Sequence, residues 1–229
     1  MVLALLPVIA DALVPPVRRL RPIPPPPTVT AAPLPTTAAP TPFRKRAGWL
    51  TVPSSRESVS YEVPDSPEWA PKPSLLIGYE TRSGVLVIAN TASVYLSGSC
   101  PDYAHGRRAF VGLNRSAAAR PNPAATAALL VSRWAQARNT ESDDTRYPVP
   151  TPELRTVTGV AGTLQVASIT FTPQVTDAYS CLAPRMRFTV ALLTSAERDY
   201  PMIIVSDQGV PNALTPELED RIIATLLPG

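Results

Sequence analysis

The residues that could do chemistry in this chain are few and scattered. The only histidine, His105, sits in the segment PDYAHGRR. A serine hydrolase would need it beside an activated nucleophile, but the sequence has no G-x-S-x-G elbow, and a lone loop histidine is ordinarily just solvated. Glu141, Asp143 and Asp144 form a short acidic cluster without the glycine and terminal glutamate of an EF-hand loop. It reads as a solvated turn. Gly159 and Gly162 are spaced GxxG, without the further glycine and the following helix of a phosphate cradle, and read as strand or turn glycines. Carboxylate pairs of the glycosidase kind need not be neighbours in sequence, and nothing selects a pair among the acidic residues. No catalytic, cofactor-binding or metal-binding set is therefore assigned.

Two polar features remain. Ser206, Asp207, Gln208 and Gly209 follow a short apolar run, Met202–Val205, and precede a helical segment. Asp and Gly suit a tight turn, and a polar turn at a strand end can also line a groove. The two cysteines, Cys100 and Cys181, both fall where a strand meets a loop, in YLSGSCPD and DAYSCLAP. With one histidine and no CxxC, they cannot build a four-ligand zinc site of Cys and His. The expectation is a disulfide, which closes a loop of ~80 residues, stabilises by roughly 4 kcal/mol and implies an oxidising compartment. Two unrelated buried thiols are the other reading.

The elements that must position these residues are partly legible. Met186–Leu192 alternates apolar and polar residues, as a strand with one wet face does. Val85–Ala89, Ser93–Leu96 and Met202–Val205 are short apolar strands. Leu75–Glu80, Phe110–Leu113 and Leu154–Val160 are weaker candidates. Leu164–Phe171 alternates but shifts phase near Ala167 and Ser168, which predicts a bulge or a strongly bent strand. One helix begins at Asn122-Pro123, an N-cap followed by a proline at the first helical position. Ala127, Leu130, Val131 and Trp134 share one face of it, which predicts a buried Trp134. A second helix begins at Thr215-Pro216-Glu217, with Leu218, Ile222, Ile223 and Leu226 as its apolar face. Residues 139–152 read as a long surface connection. The fold class expected is α+β: a mostly antiparallel sheet with two main helices packed on it, preceded by a disordered proline-rich tail.

That tail divides the chain. Twelve of the 29 prolines fall in the first 46 residues. Residues 1–17 are apolar, and the run Val2–Val14 would rise ~20 Å as a helix, short of a ~30 Å hydrocarbon core. They read as a signal remnant or as part of a longer membrane span. Residues 18–46 form a proline-rich linker, extended as polyproline II and acting as a spacer. Residues 47–229 form the globular domain. The net charge of +3 belongs to the tail, which carries six basic residues and one acidic. The domain is slightly acidic, holds one lysine (Lys72) and has its arginines dispersed along the sequence. That argues against nucleic-acid binding, which needs a clustered basic surface.

Trp49, YEVP (Tyr61–Pro64), IGY (Ile77–Tyr79), SGSC (Ser97–Cys100), the helix carrying Trp134, Cys181-Leu182-Ala183-Pro184 and SDQGV (Ser206–Val210) together resemble a family of actinobacterial membrane-anchored domains of unknown function. The resemblance covers residues 47–229. It implies a Mog1/PsbP-like α/β/α sandwich and brings no activity with it. The function expected is a non-enzymatic extracytoplasmic binding or accessory domain on a proline-rich stalk. In this reading the domain is secreted or tethered to the membrane by its N-terminal segment, and its partner is a cell-envelope component or another membrane protein. No cofactor and no nucleic acid are called for. An envelope-associated hydrolase with an unrecognised site is the alternative.

Overall fold

A computed structural model describes residues 46–99, 106–175 and 183–229. Among these residues, twelve strands and two helices follow in chain order. They are β1 (Trp49–Ser54), β2 (Val59–Pro64), β3 (Trp69–Lys72), β4 (Ile77–Thr81), β5 (Gly84–Tyr95), β6 (Ala109–Leu113) and β7 (Ala117–Ala118), then α1 (Pro123–Arg138). After it come β8 (Glu153–Gly159), β9 (Gly162–Phe171), β10 (Arg185–Thr194), β11 (Arg198–Gln208), α2 (Pro216–Ile223) and β12 (Leu227–Pro228). The large sheet runs β3-β5-β6-β11-β10-β9-β8, with β4 beside the first half of β5 and β7 beside the start of β11. The small sheet runs β1-β2-β12. Every pairing in both is antiparallel.

Period-2 alternation in the central strands supplies apolar residues to both faces of the large sheet. Met202 and Ile204 of β11 join Val52, Tyr61, Val63, Ile222 and Ile223 under the small sheet and α2. Ile203 and Val205 join Val131 and Trp134 under α1 on the other face. The expected α+β layout, and with it the α/β/α sandwich, is therefore corrected. Strand dominates, helix amounts to 16 residues in α1 and eight in α2, and the second sheet packed on the first makes the fold β-sandwich-like. The sequence reading missed that second sheet because Pro53 and Pro64 interrupt it. Proline is tolerated on a sheet edge, where no ladder bond is lost, and β1 is an edge strand.

The expected bulge in β9 is also corrected. Its register with both neighbours is unbroken. Leu164 and Val166 face the small sheet and α2, while Ala167, Ile169 and Phe171 face α1. The phase shift in the sequence records a strand of unbroken register passing from under one cover to under the other.

Both helices start where their caps require. The Asn122 side chain accepts from the Ala125 amide at 3.0 Å, and Thr215 accepts from Leu218. Trp134 is buried. The buried stripe of α1 runs through Ala127, Val131, Trp134 and Ala135, so Leu130 lies half-buried at its margin. None of the described helices is long and apolar enough to cross a membrane. Cys100, Cys181 and His105 lie outside the described residues, and the expected disulfide lies there with them.

Candidate functional site: a cationic groove at a split in the sheet

The sheet splits where β6 ends. Strand β6 pairs with β5 from Tyr95 back to Asn90 and with β11 from Ser206 back to Met202. It stops there for two local reasons. Pro201 has no amide hydrogen to extend the ladder, and its carbonyl takes the Asn114 amide instead, at 2.9 Å. On the other side β5 is bulged between Asn90 and Ser93, with Thr91 at φ 51°, a left-handed conformation costly for a β-branched residue. Neighbours from the small sheet hold that strain in place. Tyr61 donates its hydroxyl to the Thr91 carbonyl at 2.7 Å, and the Thr91 hydroxyl donates to Ser54 at 2.8 Å. Burial pushes the Tyr61 phenol well above its ordinary range, so it stays a donor. Strain of this kind collects at functional sites.

Beyond the split lies a groove of about 820 Å³. Its floor is the first half of β5 with Leu76. Leu130, Arg133 and Trp134 of α1 form one wall, and the turn Asn114–Ser116 with Arg198 forms another. Arg56 and Glu57, from the β1–β2 connection, close the third side. Asn114 ties the parts together: its Nδ2 donates to the Ile88 carbonyl at 3.0 Å, and its Oδ1 accepts from Trp134 Nε1 at 3.1 Å.

The electrostatics of the groove are one-sided. Arg56, Arg115, Arg133 and Arg198 line it, and their guanidinium groups have no ion-pair or hydrogen-bond partner among the described residues. Among the described residues of the lining Glu57 is the single acidic one, and it is buried. Both its oxygens are engaged, one by Asn90 Nδ2 at 3.0 Å and the other by the Ser116 amide at 2.7 Å. The carboxylate thus holds the turn in place and leaves the arginines uncompensated. Two smaller hollows share lining with this groove, through Arg56, Leu76 and Asn90 at one end and Leu86 and Arg133 at the other.

The residues singled out from the sequence lie elsewhere. Ser206, Asp207 and Gln208 are the last residues of β11, and Gly209 follows at φ 75° in the turn, its Cα against Pro184. Ser206 is buried and donates to Glu219 Oε1 at 2.8 Å. Gln208 Nε2 donates to Ser206 at 3.0 Å, and Asp207 pairs with Arg108 at 3.2 Å. The acidic cluster is a latch: Asp143 accepts from the Thr145 amide, and Asp144 accepts from Ser83 in the β4–β5 turn at 2.8 Å. Gly159 and Gly162 close the β8–β9 hairpin.

Burial pushes the Asp207 carboxyl up to about 6 from an ordinary 3.8, outweighing the pull of Arg108. An acid whose folded value is raised stabilises most when protonated, so this contribution is complete below pH 4 and lost as pH rises through 6. Comparing Asp207→Asn with the parent should therefore show the parent losing on the order of 2 kcal/mol relative to the variant between pH 4 and 7. Thermal unfolding followed by circular dichroism reads this. Parallel pH profiles would rule the assignment out.

A search of curated proteins found no match to the chain. Residues 44–229 do match a family described as "Domain of unknown function (DUF8017)". That span takes in every strand of both sheets, both helices and all the residues that line the groove, and the chain belongs to that family.

Proposed function

We propose that the domain is a binding module whose groove holds an extended anionic ligand. The observation that carries this is the set of four unpartnered guanidinium groups around a partly apolar groove, on a domain whose overall charge is slightly negative. Positive charge concentrated in a concave, low-dielectric site raises the local concentration of anions. Holding is favoured over cleaving because the described lining has one carboxylate, and that carboxylate is fully engaged. The apolar segment Val2–Val14 and the proline-rich spacer behind it support display of this module outside the cytoplasm, tethered to or released from the membrane. An envelope polymer or an acidic segment of another membrane protein would then be its natural partner.

The test is calorimetric titration of the full chain with a decameric polyglutamate at 20 mM and 300 mM salt. Binding should weaken steeply with salt. The double variant Arg115→Glu/Arg133→Glu should bind at least tenfold more weakly while unfolding at an unchanged temperature, since both side chains are exposed. Equal affinity of parent and variant would remove the groove from consideration.

A further inference from the structure

We propose that the ligand of this groove is an extended acidic peptide segment that adds as a strand to the open edge of β5. The inference rests on the groove being the binding site and goes on to name the mode of recognition and the class of ligand.

Residues 84–89 of β5 are paired with β4 on one side only. The pairing with β6 on the other side begins at Asn90, and among the described residues no strand covers the edge before it. The Ile88 carbonyl points away from β4 into the groove, where Asn114 Nδ2 takes it. A backbone edge is therefore presented at the place where the ladder has been broken by the bulge at Thr91 and by Pro201. The edge is six residues long, about 20 Å of strand.

Its sequence, GVLVIA, has neither the charges nor the prolines by which natural sheets protect an open edge, and its one irregularity, the register shift against β4 at Leu86, leaves Val85 exposed. Val85 and Ile88 on this edge are 61% and 45% exposed, and Leu76 beside them is 52% exposed. An uncharged, β-prone edge left open is an aggregation hazard unless something covers it. Added strands are held by main-chain hydrogen bonds and chosen through pockets for alternate side chains. Here the apolar lining is Leu76, Ile88 and Leu130, and Arg56, Arg115, Arg133 and Arg198 stand around it. The matching segment alternates apolar and acidic residues. A second copy of this chain is disfavoured, because docking edge to edge would bring two sets of uncompensated arginines together.

The experiment uses the full chain and an end-blocked hexapeptide of alternating Glu and Val. Two analogues carry N-methyl groups on the odd or on the even amides, and alginate serves as a non-peptide polyanion. Strand addition turns only one edge of the peptide toward β5. One N-methylated analogue should therefore bind at least tenfold more weakly than the parent peptide, while the other binds within about twofold. Arg133→Glu should weaken both the parent peptide and the tolerated analogue. If both N-methylated analogues bind as well as the parent, recognition is by charge alone; strand addition is overturned and the anionic groove stands. If alginate binds and the peptide does not, the ligand class is overturned and the groove again stands. If neither binds at low salt, both readings fail. A monomer–dimer equilibrium that the peptide does not compete with would assign the edge to a second copy and overturn the proposal.

Discussion

Replacing Trp134 with alanine should cost about 3–5 kcal/mol of stability, the range for deleting a large core aromatic. The indole is almost fully buried between α1 and the large sheet. It meets Tyr79 edge-on at 6.0 Å and Phe110 at 6.0 Å between ring centroids, and such pairs add to the energy of burial alone. Its Nε1 also donates to Asn114, the residue that caps the Ile88 carbonyl at the split. The alanine variant therefore loses packing and loosens one wall of the groove together. Trp134→Phe separates the two effects: it keeps most of the ring contact and gives up the hydrogen bond, for about 1 kcal/mol. Urea unfolding of the full chain measures both. A loss below 1 kcal/mol for the alanine variant would mean that the α1 face contributes little to the core.

Local signals read the elements well where they act locally. Asn122-Pro123 and Thr215-Pro216 set the helix starts within their own few residues, and both helices begin there. Alternation in β10 and the short runs in β5, β6 and β11 mark strands because the code repeats every second residue. The failures are tertiary. In β9 the same alternation serves two covers in turn, so its apparent phase break depends on what lies above the strand. Strands β1 and β2 carry inward Val52, Val59, Tyr61 and Val63 at even spacings, a signal present in the sequence but masked by Pro53 and Pro64. Reading Pro53 as the mark of an edge strand and Pro64 as the end of its neighbour would have revealed the small sheet, and with it the β-sandwich character.

The groove was not legible at all, for a related reason. Arg56, Arg115, Arg133 and Arg198 are spread over 143 residues and look like ordinary surface charge. Only the divergence of β5 from β11 brings them around one hollow. The causes of that divergence, a threonine at positive φ and a proline inside a central strand, are each a single residue. Pro201 is the one detectable in advance: a proline in an otherwise continuous apolar strand marks a place where a neighbouring strand must leave. Glu219 was hidden differently. Leu218 packs half-buried against the core as its place on the apolar face of α2 predicts, but the carboxylate beside it is fully buried, and the apolar pattern gives no sign of that.

Removing that carboxylate should be the most damaging polar change in the domain. Glu219 is fully buried, with Oε1 accepting from Ser206 at 2.8 Å and Oε2 accepting from Thr189 at 3.2 Å, and the Arg187 guanidinium stands 4.0 Å from Oε2 as an ion pair. Gln208 donates to the same Ser206, and Ser168 bonds Thr189 at 3.2 Å, so the acid is the hub of a network joining α2 to three strands. Glu219→Ala leaves two hydroxyls and a guanidinium facing a void and should cost about 3–5 kcal/mol. Glu219→Gln keeps the volume and one acceptor and should cost about 1 kcal/mol near neutral pH. The two variants also differ from the parent in pH dependence. Burial raises the Glu219 carboxyl above the ordinary glutamate value, outweighing its hydrogen bonds and Arg187. The stability it supplies is therefore complete below the ordinary glutamate range and falls as pH rises through the raised value. Glutamine, neutral throughout, lacks that fall, so parent stability minus Glu219→Gln stability should decrease steadily from pH 4 upward. Asp207 titrates in the same direction in both proteins and cancels in the difference. A flat difference across pH 4–8 would show that Glu219 titrates in the folded domain as it does in the unfolded chain, and that its burial carries no proton.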